Sequence, residues 1–313
     1  MSGVIGRFAP TPSGALHLGN LFCSLLAWLS AKAQGGEIVL RIEDLDRERA
    51  NSAFTAQCEH DLHLLGLDWD RGGTAGGKVY FQSERTEYYK TLLERLQQTG
   101  KVYPCFCSRA ELHAASAPHA SDGELLYSGK CRDLSKEEIE RLSRQRPPAL
   151  RLRVPDETIA FDDLHYGRIE QNLMTDCGDF ILRRSDGVFA YQLAVVGDDG
   201  DMGVTEVVRG RDLLSSTPRQ IYLFQLLGLP VPRFAHAPLL LDEEGRRLSK
   251  RDRDLSLSGL LERGHTPEDV IGKLAYLAGL LDRPEAAAAK ELIPLFDWEK
   301  VPCADILLPS GLF

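Results

Sequence analysis

Residues 4–44 of the chain read VIGRFAPTPSGALHLGNLFCSLLAWLSAKAQGGEIVLRIED. Residues 4–9 are apolar and compatible with a β-strand, and a turn-rich loop follows at 10–14. Leucine and phenylalanine then recur at helical spacing from 18 to 29, and a glycine pair predicts the end of that helix. Residues 38–42 predict a second strand. Strand, loop, helix and strand in this order are typical of the βαβ unit of a parallel sheet.

This first unit also predicts where a ligand binds. In such folds ligands lie beside the carboxyl ends of the strands, near helix amino termini, which places the segment from Arg7 to Asn20, and Glu43, around one site. At the helix start, His17 and the backbone N–H groups would face a polyphosphate, and Gly19 would let a nucleotide approach the backbone closely. Taken alone, the tetrapeptide HLGN at 17–20 is explained better by a histidine that starts the helix and binds no ligand.

The whole chain predicts a large α/β domain with smaller parts attached. Its 313 residues are long for one simple domain. We expect a catalytic nucleotide-binding domain from residues 1–100 and 149–254, an inserted subdomain at 101–148, and a helical C-terminal region at 255–313. The predicted fold class is therefore α/β, with a doubly wound parallel sheet.

Local patterns predict further elements. Periodic apolar residues predict helices at 51–65, 84–98, 135–144 and 217–227. Apolar runs at 179–184 and 188–196 flank an Asp-Gly turn, which predicts a β-hairpin. A threonine and a proline at 266–267, followed by two acids, predict the start of another helix.

Composition and charge argue against several classes of protein. Hydrophobic residues make up 43% of the chain, enough for a sizeable core, and no apolar stretch is long enough to predict a membrane helix. The first residues lack the pattern of a signal peptide, so we expect a cytoplasmic protein without a membrane partner. The net charge of −9 argues against broad nucleic-acid binding, so any RNA contact would be local.

The seven cysteines predict two different roles. Those interpreted as buried free thiols are scattered among apolar neighbours, and they are Cys23, Cys58, Cys177 and Cys303. Cys105, Cys107 and Cys131 are clustered, which in a cytoplasmic chain points to a metal before a disulfide. Thiolates suit Zn²⁺, but a structural zinc site takes four ligands, and His113 or His119 is the generic choice for the fourth. A set of thiols without metal is the plainer alternative.

A basic loop, RRLSKR at 246–251, follows late in the predicted sheet domain. A lysine on such a loop, here Lys250, can neutralise charge that develops on a transferring phosphate. Seen alone, the segment is better explained as an exposed basic loop.

Together, the helix-start tetrapeptide and the basic loop resemble the paired signatures of class I aminoacyl-tRNA synthetases. Surrounding motifs are similar to those of the glutamyl-tRNA synthetase branch, and they are GRFAPTPSG at 6–14, RIED at 41–44, VRG at 208–210 and SSTP at 215–218. The likeness runs from Val4 to about Asp254. It implies a Rossmann-like core with an inserted zinc-binding, acceptor-type subdomain. The familiar first signature has a second histidine where Asn20 stands, so one phosphate contact of that signature is open to question.

The chain ends soon after the Lys250 loop, where a full glutamyl-tRNA synthetase carries an anticodon-binding region, so we expect no such domain. This shorter pattern resembles glutamyl-queuosine tRNA(Asp) synthetases. The resemblance implies tRNA-independent activation of glutamate with ATP to glutamyl-adenylate, and transfer of glutamate to queuosine in the anticodon of tRNA(Asp). The implied partners are ATP with Mg²⁺, L-glutamate and tRNA(Asp) carrying queuosine, and we expect a monomer.

The resemblance also implies a glutamate pocket, made of Arg7, Ala9, Thr11, Glu43, Tyr191 and Arg209. Arg7 is expected to pair with a carboxylate of the substrate, since a guanidinium binds carboxylate through two parallel hydrogen bonds. Glu43 is expected to receive the ammonium group. Without the family pattern, Glu43 is explained by an ion pair with Arg41 or Arg47, and Tyr191 by a half-buried strand aromatic.

The ATP contacts implied by the resemblance are His17, Gly19, Asn20 and Lys250. His17 and Lys250 have the catalytic role of stabilising charge, because an ionised substrate carboxylate attacks phosphorus without a general base. For one structural zinc ion, the resemblance favours a tyrosine four residues before the last cysteine. The implied ligands are then Cys105, Cys107, Tyr127 and Cys131.

Three alternatives stay open. A carboxylate-adenylating enzyme with a non-tRNA acceptor would use the same motifs. A minimal glutamyl-tRNA synthetase would charge 3′ ends in place of queuosine. A third alternative is a synthetase-like protein that only binds RNA or another partner, and the joint presence of Arg7, His17, Glu43 and Lys250 argues against it.

Overall fold

A computed structural model describes residues 3–46, 50–108, 111, 126–248 and 255–313. Lys250, His113, His119 and Arg47 lie outside these residues, so their roles stay predictions from the sequence.

Helices and strands alternate along the chain. The described α-helices of six residues or more are α1 (Leu18–Ala33), α2 (Ser52–Leu64), α3 (Thr86–Gln98), α4 (Lys136–Ser143), α5 (Tyr191–Asp201), α6 (Thr217–Leu227), α7 (Leu257–Glu262) and α8 (Pro267–Leu277). The described strands are β1 (Ile5–Phe8), β2 (Glu37–Leu40), β3 (Arg71–Gly72), β4 (Val102–Cys105), β5 (Ala149–Leu152), β6 (Thr158–Asp163), β7 (Gly167–Asn172), β8 (Phe180–Arg183), β9 (Glu206–Gly210), β10 (Arg233–Ala237), β11 (Leu240–Leu241) and β12 (Ile306–Leu307). None of the helices described is both long enough and apolar enough to cross a membrane.

The βαβ unit predicted from residues 4–44 is confirmed. β1 pairs in parallel with β2, with Arg7 opposite Val39, and α1 connects the two strands. The helix ends at the glycine pair, where Gly35 has a φ of 64°, a conformation that glycine adopts without steric cost. β2 pairs in parallel with β3, and α2 lies between these two strands in the chain.

A second pair of parallel strands lies on the other side of β1. β9 and β10 are parallel, with Arg209 opposite His236, and α6 connects them. Directly before β9, the backbone N–H of Thr205 donates to the carbonyl of Ile5 in β1 at 2.9 Å. The antiparallel hairpin β6–β7 borders β10, so the order is β7-β6-β10-β9. The carboxyl ends of β1, β2 and β9 therefore lie close together, as expected of an α/β fold of this class.

The predicted insert begins with a strand of another sheet. β4 pairs antiparallel with β5, the first strand after the insert, and β5 pairs antiparallel with β8. The helix predicted at 135–144 is α4. Its start is fixed by Ser135, whose hydroxyl accepts from the N–H of Glu138, while the Glu138 carboxylate accepts from the N–H of Ser135. The pairing of β4 with β5 holds the two ends of the insert side by side.

The hairpin predicted at 179–184 and 188–196 is wrong in its second half. β8 and the turn are present, and Arg183 forms an antiparallel bridge with Phe189. From Tyr191 onward, however, the chain forms α5. Every residue from 192 to 199 is buried, so this part of the helix has no exposed face and its apolar run shows no helical period. A short apolar run of this kind does not distinguish a strand from a buried helix.

The C-terminal residues pack against α1, the helix of the first βαβ unit. Leu274 of α8 and Leu292 are buried in the same apolar core as Leu21 and Leu25 of α1. The region also contains β12, which the sequence did not predict and which pairs in parallel with β11. Residues 255–313 are therefore not helical throughout.

Candidate active site

A cleft of about 420 Å³ opens where β1, β2 and β9 end beside the first turns of α1. The sequence-predicted residues that line it are Arg7, Ala9, Thr11, Asn20, Glu43, Tyr191 and Arg209. His17 and Gly19 adjoin Asn20 in the same helix start. The predicted glutamate and ATP residues that the structure describes are thus brought together in one place.

Arg7 projects from β1 into the cleft and is only 5% exposed. Its Nη1 donates to the carbonyl of Val208 in β9 at 2.7 Å. Its Nε lies 3.8 Å from an oxygen of Asp199 in α5. The guanidinium is therefore held between two elements, while part of it remains on the cleft wall.

Glu43 lines the cleft and also forms the ion pair that the sequence suggested as an alternative. Its Oε1 lies 3.1 Å from Nη2 of Arg41, which is completely buried. Arg41 in turn donates to Asp199 at 2.6 Å and lies 3.6 Å from Asp198. Burial raises the pKa of Glu43, and the nearby charges of Arg41 and Arg7 oppose that effect.

The acids of α5 were missed by the sequence analysis. Asp198 is fully buried and accepts hydrogen bonds from Gln82, Arg85 and Tyr89. Because Asp198 and Asp199 balance buried arginines, the helix connects the cleft to the body of the protein. The sequence signal that could have revealed them is the acidic run Asp198-Asp199-Gly200-Asp201 at the end of an apolar stretch.

Tyr191 and Arg209 complete the inner end of the cleft. Tyr191 is the first residue of α5, so it is a helix residue and not a strand aromatic. Burial raises its pKa, which keeps the phenol protonated. Arg209 is 4% exposed and is the last residue but one of β9, directly before Gly210.

The start of α1 is a capping box built on His17. Its Nδ1 accepts from the N–H of Gly19 at 3.1 Å, and the side-chain oxygen of Asn20 accepts from the N–H of His17 at 3.2 Å. An imidazole that accepts at Nδ1 carries its proton on Nε2 when neutral, so Nε2 is a donor. A Cβ at Gly19 would lie 3.1 Å from the His17 ring, which is a second reason for glycine there.

Two thiols on the cleft wall were predicted only as buried free cysteines. Cys23 of α1 and Cys58 of α2 both line the cleft. Burial raises the pKa of each thiol to about 12, so both are neutral at pH 7. Cys177 is buried as predicted, whereas Cys303 is exposed, so the prediction is wrong for that residue.

The three clustered cysteines meet, together with Tyr127. The sulfurs of Cys105, Cys107 and Cys131 lie within 4.8 Å of one another, with 3.6 Å between Cys107 and Cys131. The Tyr127 hydroxyl lies 3.5 Å from Cys105 Sγ and 3.7 Å from Cys107 Sγ. Ligands at zinc–sulfur distance in a tetrahedron are about 3.8 Å apart, so this donor set fits Zn²⁺. The guanidinium of Arg151 covers the Tyr127 ring at 3.9 Å.

Comparison with known proteins agrees with this geometry. Residues 3–301 match the family model described as tRNA synthetases class I (E and Q), catalytic domain. This chain belongs to that family. It is consequently a ligase with the Rossmann-like α/β fold of class I synthetases, and the family resemblance found from the signatures is confirmed.

Several relatives match this synthetase chain over nearly its whole length. Proteins named glutamyl-Q tRNA(Asp) synthetase are 52% identical in Symbiobacterium thermophilum, with 97% of this chain and 96% of the relative covered, and 46% identical in Nitratidesulfovibrio vulgaris, with 98% and 96% covered. A crystal structure of a glutamate tRNA ligase from Elizabethkingia meningosepticum, in complex with its amino acid, superposes with a TM-score of 0.85 at 31% identity. That match covers 99% of this chain and 68% of the ligase.

Proposed function

We propose that this synthetase-family chain activates glutamate with ATP in the absence of tRNA and transfers the glutamyl group to queuosine in the anticodon of tRNA(Asp). The observation that carries the proposal is a cleft lined by two buried guanidinium groups, Arg7 and Arg209, and by the carboxylate of Glu43, whose side chain is 10% exposed. The names of the two relatives support the acceptor, and the glutamate tRNA ligase of similar fold supports the substrate.

The charges of the cleft match those of glutamate. The substrate carries two carboxylates and one ammonium group, so its pocket needs two cationic donors and one anion. Arg7 binds one carboxylate beside Ala9 and Thr11, and Glu43 receives the ammonium group. Tyr191 and Arg209 close the inner end, where low exposure strengthens each of these interactions.

Adenylate formation then needs positioning and charge stabilisation. An oxygen of the glutamate α-carboxylate attacks the α-phosphorus of ATP, and the bond from phosphorus to the pyrophosphate oxygen breaks. His17 donates from Nε2 to a phosphate oxygen, and the positive end of α1, where Gly19 and Asn20 lie, faces the nucleotide. Lys250 neutralises the leaving pyrophosphate. The Mg²⁺ that accompanies ATP supplies further neutralisation of charge.

The segment 101–148 is proposed to be an inserted zinc-binding subdomain of acceptor type. Cys105, Cys107, Cys131 and Tyr127 hold one structural Zn²⁺, which joins the end of β4 to residues 127–131. Purified protein should contain zinc in a one-to-one ratio, measured by elemental mass spectrometry. Cys131→Ala should lose it and Cys177→Ala should retain it. Wild-type protein purified without any zinc contradicts this assignment.

The test of the first step is glutamate-dependent exchange between ATP and labelled pyrophosphate without tRNA. Wild-type protein should exchange, and Arg7→Ala and Lys250→Ala should each lower the rate on the order of 100-fold. The exposed residues Arg168 and Lys136 offer matched controls, whose alanine variants should exchange like wild type. No exchange with glutamate, with or without tRNA, overturns the proposal.

The test of the second step is transfer of labelled glutamate to tRNA. Label should enter tRNA(Asp) that carries queuosine and should be absent from the same tRNA lacking it. Exchange that requires tRNA, with label at a 3′ end, would identify a minimal glutamyl-tRNA synthetase. Labelled adenylate without any tRNA product would indicate an adenylating enzyme with another acceptor.

A further inference from the structure

A completely buried histidine, His236 of β10, lies directly behind Arg209. Its Nε2 is 3.1 Å from Nε of Arg209, and the guanidinium can only donate. The Thr217 hydroxyl accepts from Nη2 of Arg209 at 2.8 Å and lies 3.2 Å from the same Nε2. Arg209 and Thr217 can therefore both hydrogen-bond to His236 only when its Nε2 carries a lone pair and no proton.

Asp163, at the end of β6, fixes that tautomer from the other side. Its Oδ2 lies 2.6 Å from Nδ1 of His236. Its Oδ1 accepts from the backbone N–H groups of His165, Tyr166 and His236 at 3.0, 2.9 and 3.3 Å. Because a carboxylate only accepts, the proton of His236 is on Nδ1. Burial lowers the pKa of His236 to about 4 despite its hydrogen bond to Asp163, so the ring is neutral at pH 7.

The remaining donors of Arg209 are also held. Nη1 donates to Gln220 at 2.7 Å, and Nη2 donates to the carbonyl of Leu213 at 3.3 Å as well as to Thr217. With the bond from Nε, these contacts occupy four of the five N–H groups of a guanidinium. The fifth, on Nη1, is left for Tyr191, which hydrogen-bonds to the Arg209 side chain and lines the cleft beside it.

We propose that His236 and Asp163 are positioning residues of the glutamate pocket: Asp163 holds His236 in the tautomer with a free Nε2 lone pair, and His236 thereby fixes the plane of Arg209. The inference rests on the proposed function, because it assigns a partner to Arg209, one of the two arginines of the proposed glutamate pocket. Neither residue contacts the substrate, since His236 lies behind Arg209 and Asp163 lies behind His236.

Asp163→Asn tests the tautomer directly. Three backbone N–H groups surround the Oδ1 position, so the asparagine oxygen must occupy it and the NH₂ group must face Nδ1 of His236. The ring then accepts at Nδ1 and carries its proton on Nε2, against the Nε–H of Arg209. The ¹⁵N chemical shifts of His236 should report this exchange of tautomer. The KM for glutamate should rise on the order of 10-fold, while the KM for ATP should stay within about twofold.

Two substitutions of His236 form a matched pair. Glutamine reaches the Nε2 position with an amide oxygen that can accept from Arg209, whereas asparagine reaches only the Nδ1 position. His236→Gln should therefore retain a glutamate KM much closer to wild type than His236→Asn. Asp179→Asn is the control, because Asp179 is a buried carboxylate bonded to Tyr103 and Val154 away from the cleft. It should lower the melting temperature without changing either KM.

The outcomes separate the two proposals. A glutamate KM within twofold of wild type in both Asp163→Asn and His236→Asn overturns the positioning role. Parallel rises of both KM values together with a loss of melting temperature overturn it as well, because they indicate a merely structural role. If ¹⁵N shifts of wild-type protein place the proton on Nε2, the inference is wrong regardless of activity. If wild-type protein has the expected tautomer and binds glutamate in calorimetry but does not exchange pyrophosphate, only the proposed function fails.

Discussion

Glu43 illustrates how one side chain can form a structural ion pair and also line a cleft. Its ion pair with Arg41 at 3.1 Å and its position on the cleft wall are compatible, because a carboxylate can accept from two partners at once. Arg41 also bonds to Asp199, so the buried charges stay balanced before any ligand enters. The ion pair with Arg41 that the sequence suggested is therefore confirmed, and the binding of an ammonium group by Glu43 stays a prediction.

The raised pKa of Glu43 predicts a pH dependence of glutamate binding. Only the ionised carboxylate attracts the ammonium group, and a raised pKa means that protonation begins at a higher pH than for an exposed glutamate. As the pH falls through that range, the KM for glutamate should rise while the KM for ATP changes little. Exchange rates measured between about pH 5 and 8 test this, well above the side-chain pKa of free glutamate near 4.3.

The control for this pH dependence is Glu43→Gln, which is neutral at every pH. It should bind glutamate weakly and without the acidic rise in KM. A wild-type KM that stays flat down to the titration of free glutamate would remove Glu43 from the ammonium site.

At the scale of elements, a helix or strand could be predicted from the sequence only when its own residues carry a regular apolar pattern. β1, α1 and β2 were predicted because the leucines and the phenylalanine of α1 recur at helical spacing from Leu18 to Leu29 and a glycine pair follows the helix. α5 was mistaken for a strand because it is buried on all sides. The pair Asp163 and His236 left no local signal at all, since β6 and β10 lie far apart in the sequence and adjoin only in the folded sheet. The candidate site residues were predicted through family signatures, whereas the supporting acids Asp163, Asp198 and Asp199 were not predicted.

The first turn of α1 carries a prediction in which stability and activity change in opposite directions. Alanine is favoured over glycine within a helix by about 1 kcal/mol, so Gly19→Ala should leave the melting temperature unchanged or higher. The new Cβ would lie 3.1 Å from the His17 ring and displace it by a few tenths of an ångström. Pyrophosphate exchange should therefore fall, by less than in His17→Ala. A variant that is stabilised and fully active would show that the position of the ring is unimportant.

At the scale of the whole molecule, the C-terminal residues belong to the same core as the nucleotide-binding part. Trp298 donates from Nε1 to the Ser30 hydroxyl of α1 at 3.2 Å, and the two residues of β12 pair in parallel with the two residues of β11. The sequence analysis divided the chain at residue 254 because the family likeness ends there, but a likeness in sequence does not report which surfaces pack together. An apolar core that spans both parts favours one cooperative unit.

Leu274 of α8 provides the test of that cooperativity. The side chain is fully buried in the core shared with α1, so Leu274→Ala should lower the free energy of unfolding by about 2–5 kcal/mol. If the chain unfolds as one unit, calorimetry should record a single transition that moves to lower temperature. Exchange activity, whose residues lie on other elements, should be lost over the same temperature range. The exposed Glu262→Ala should leave both unchanged. Two separate transitions, of which Leu274→Ala moves only one, would mean that residues 255–313 fold independently and that the cleft does not depend on them for its stability.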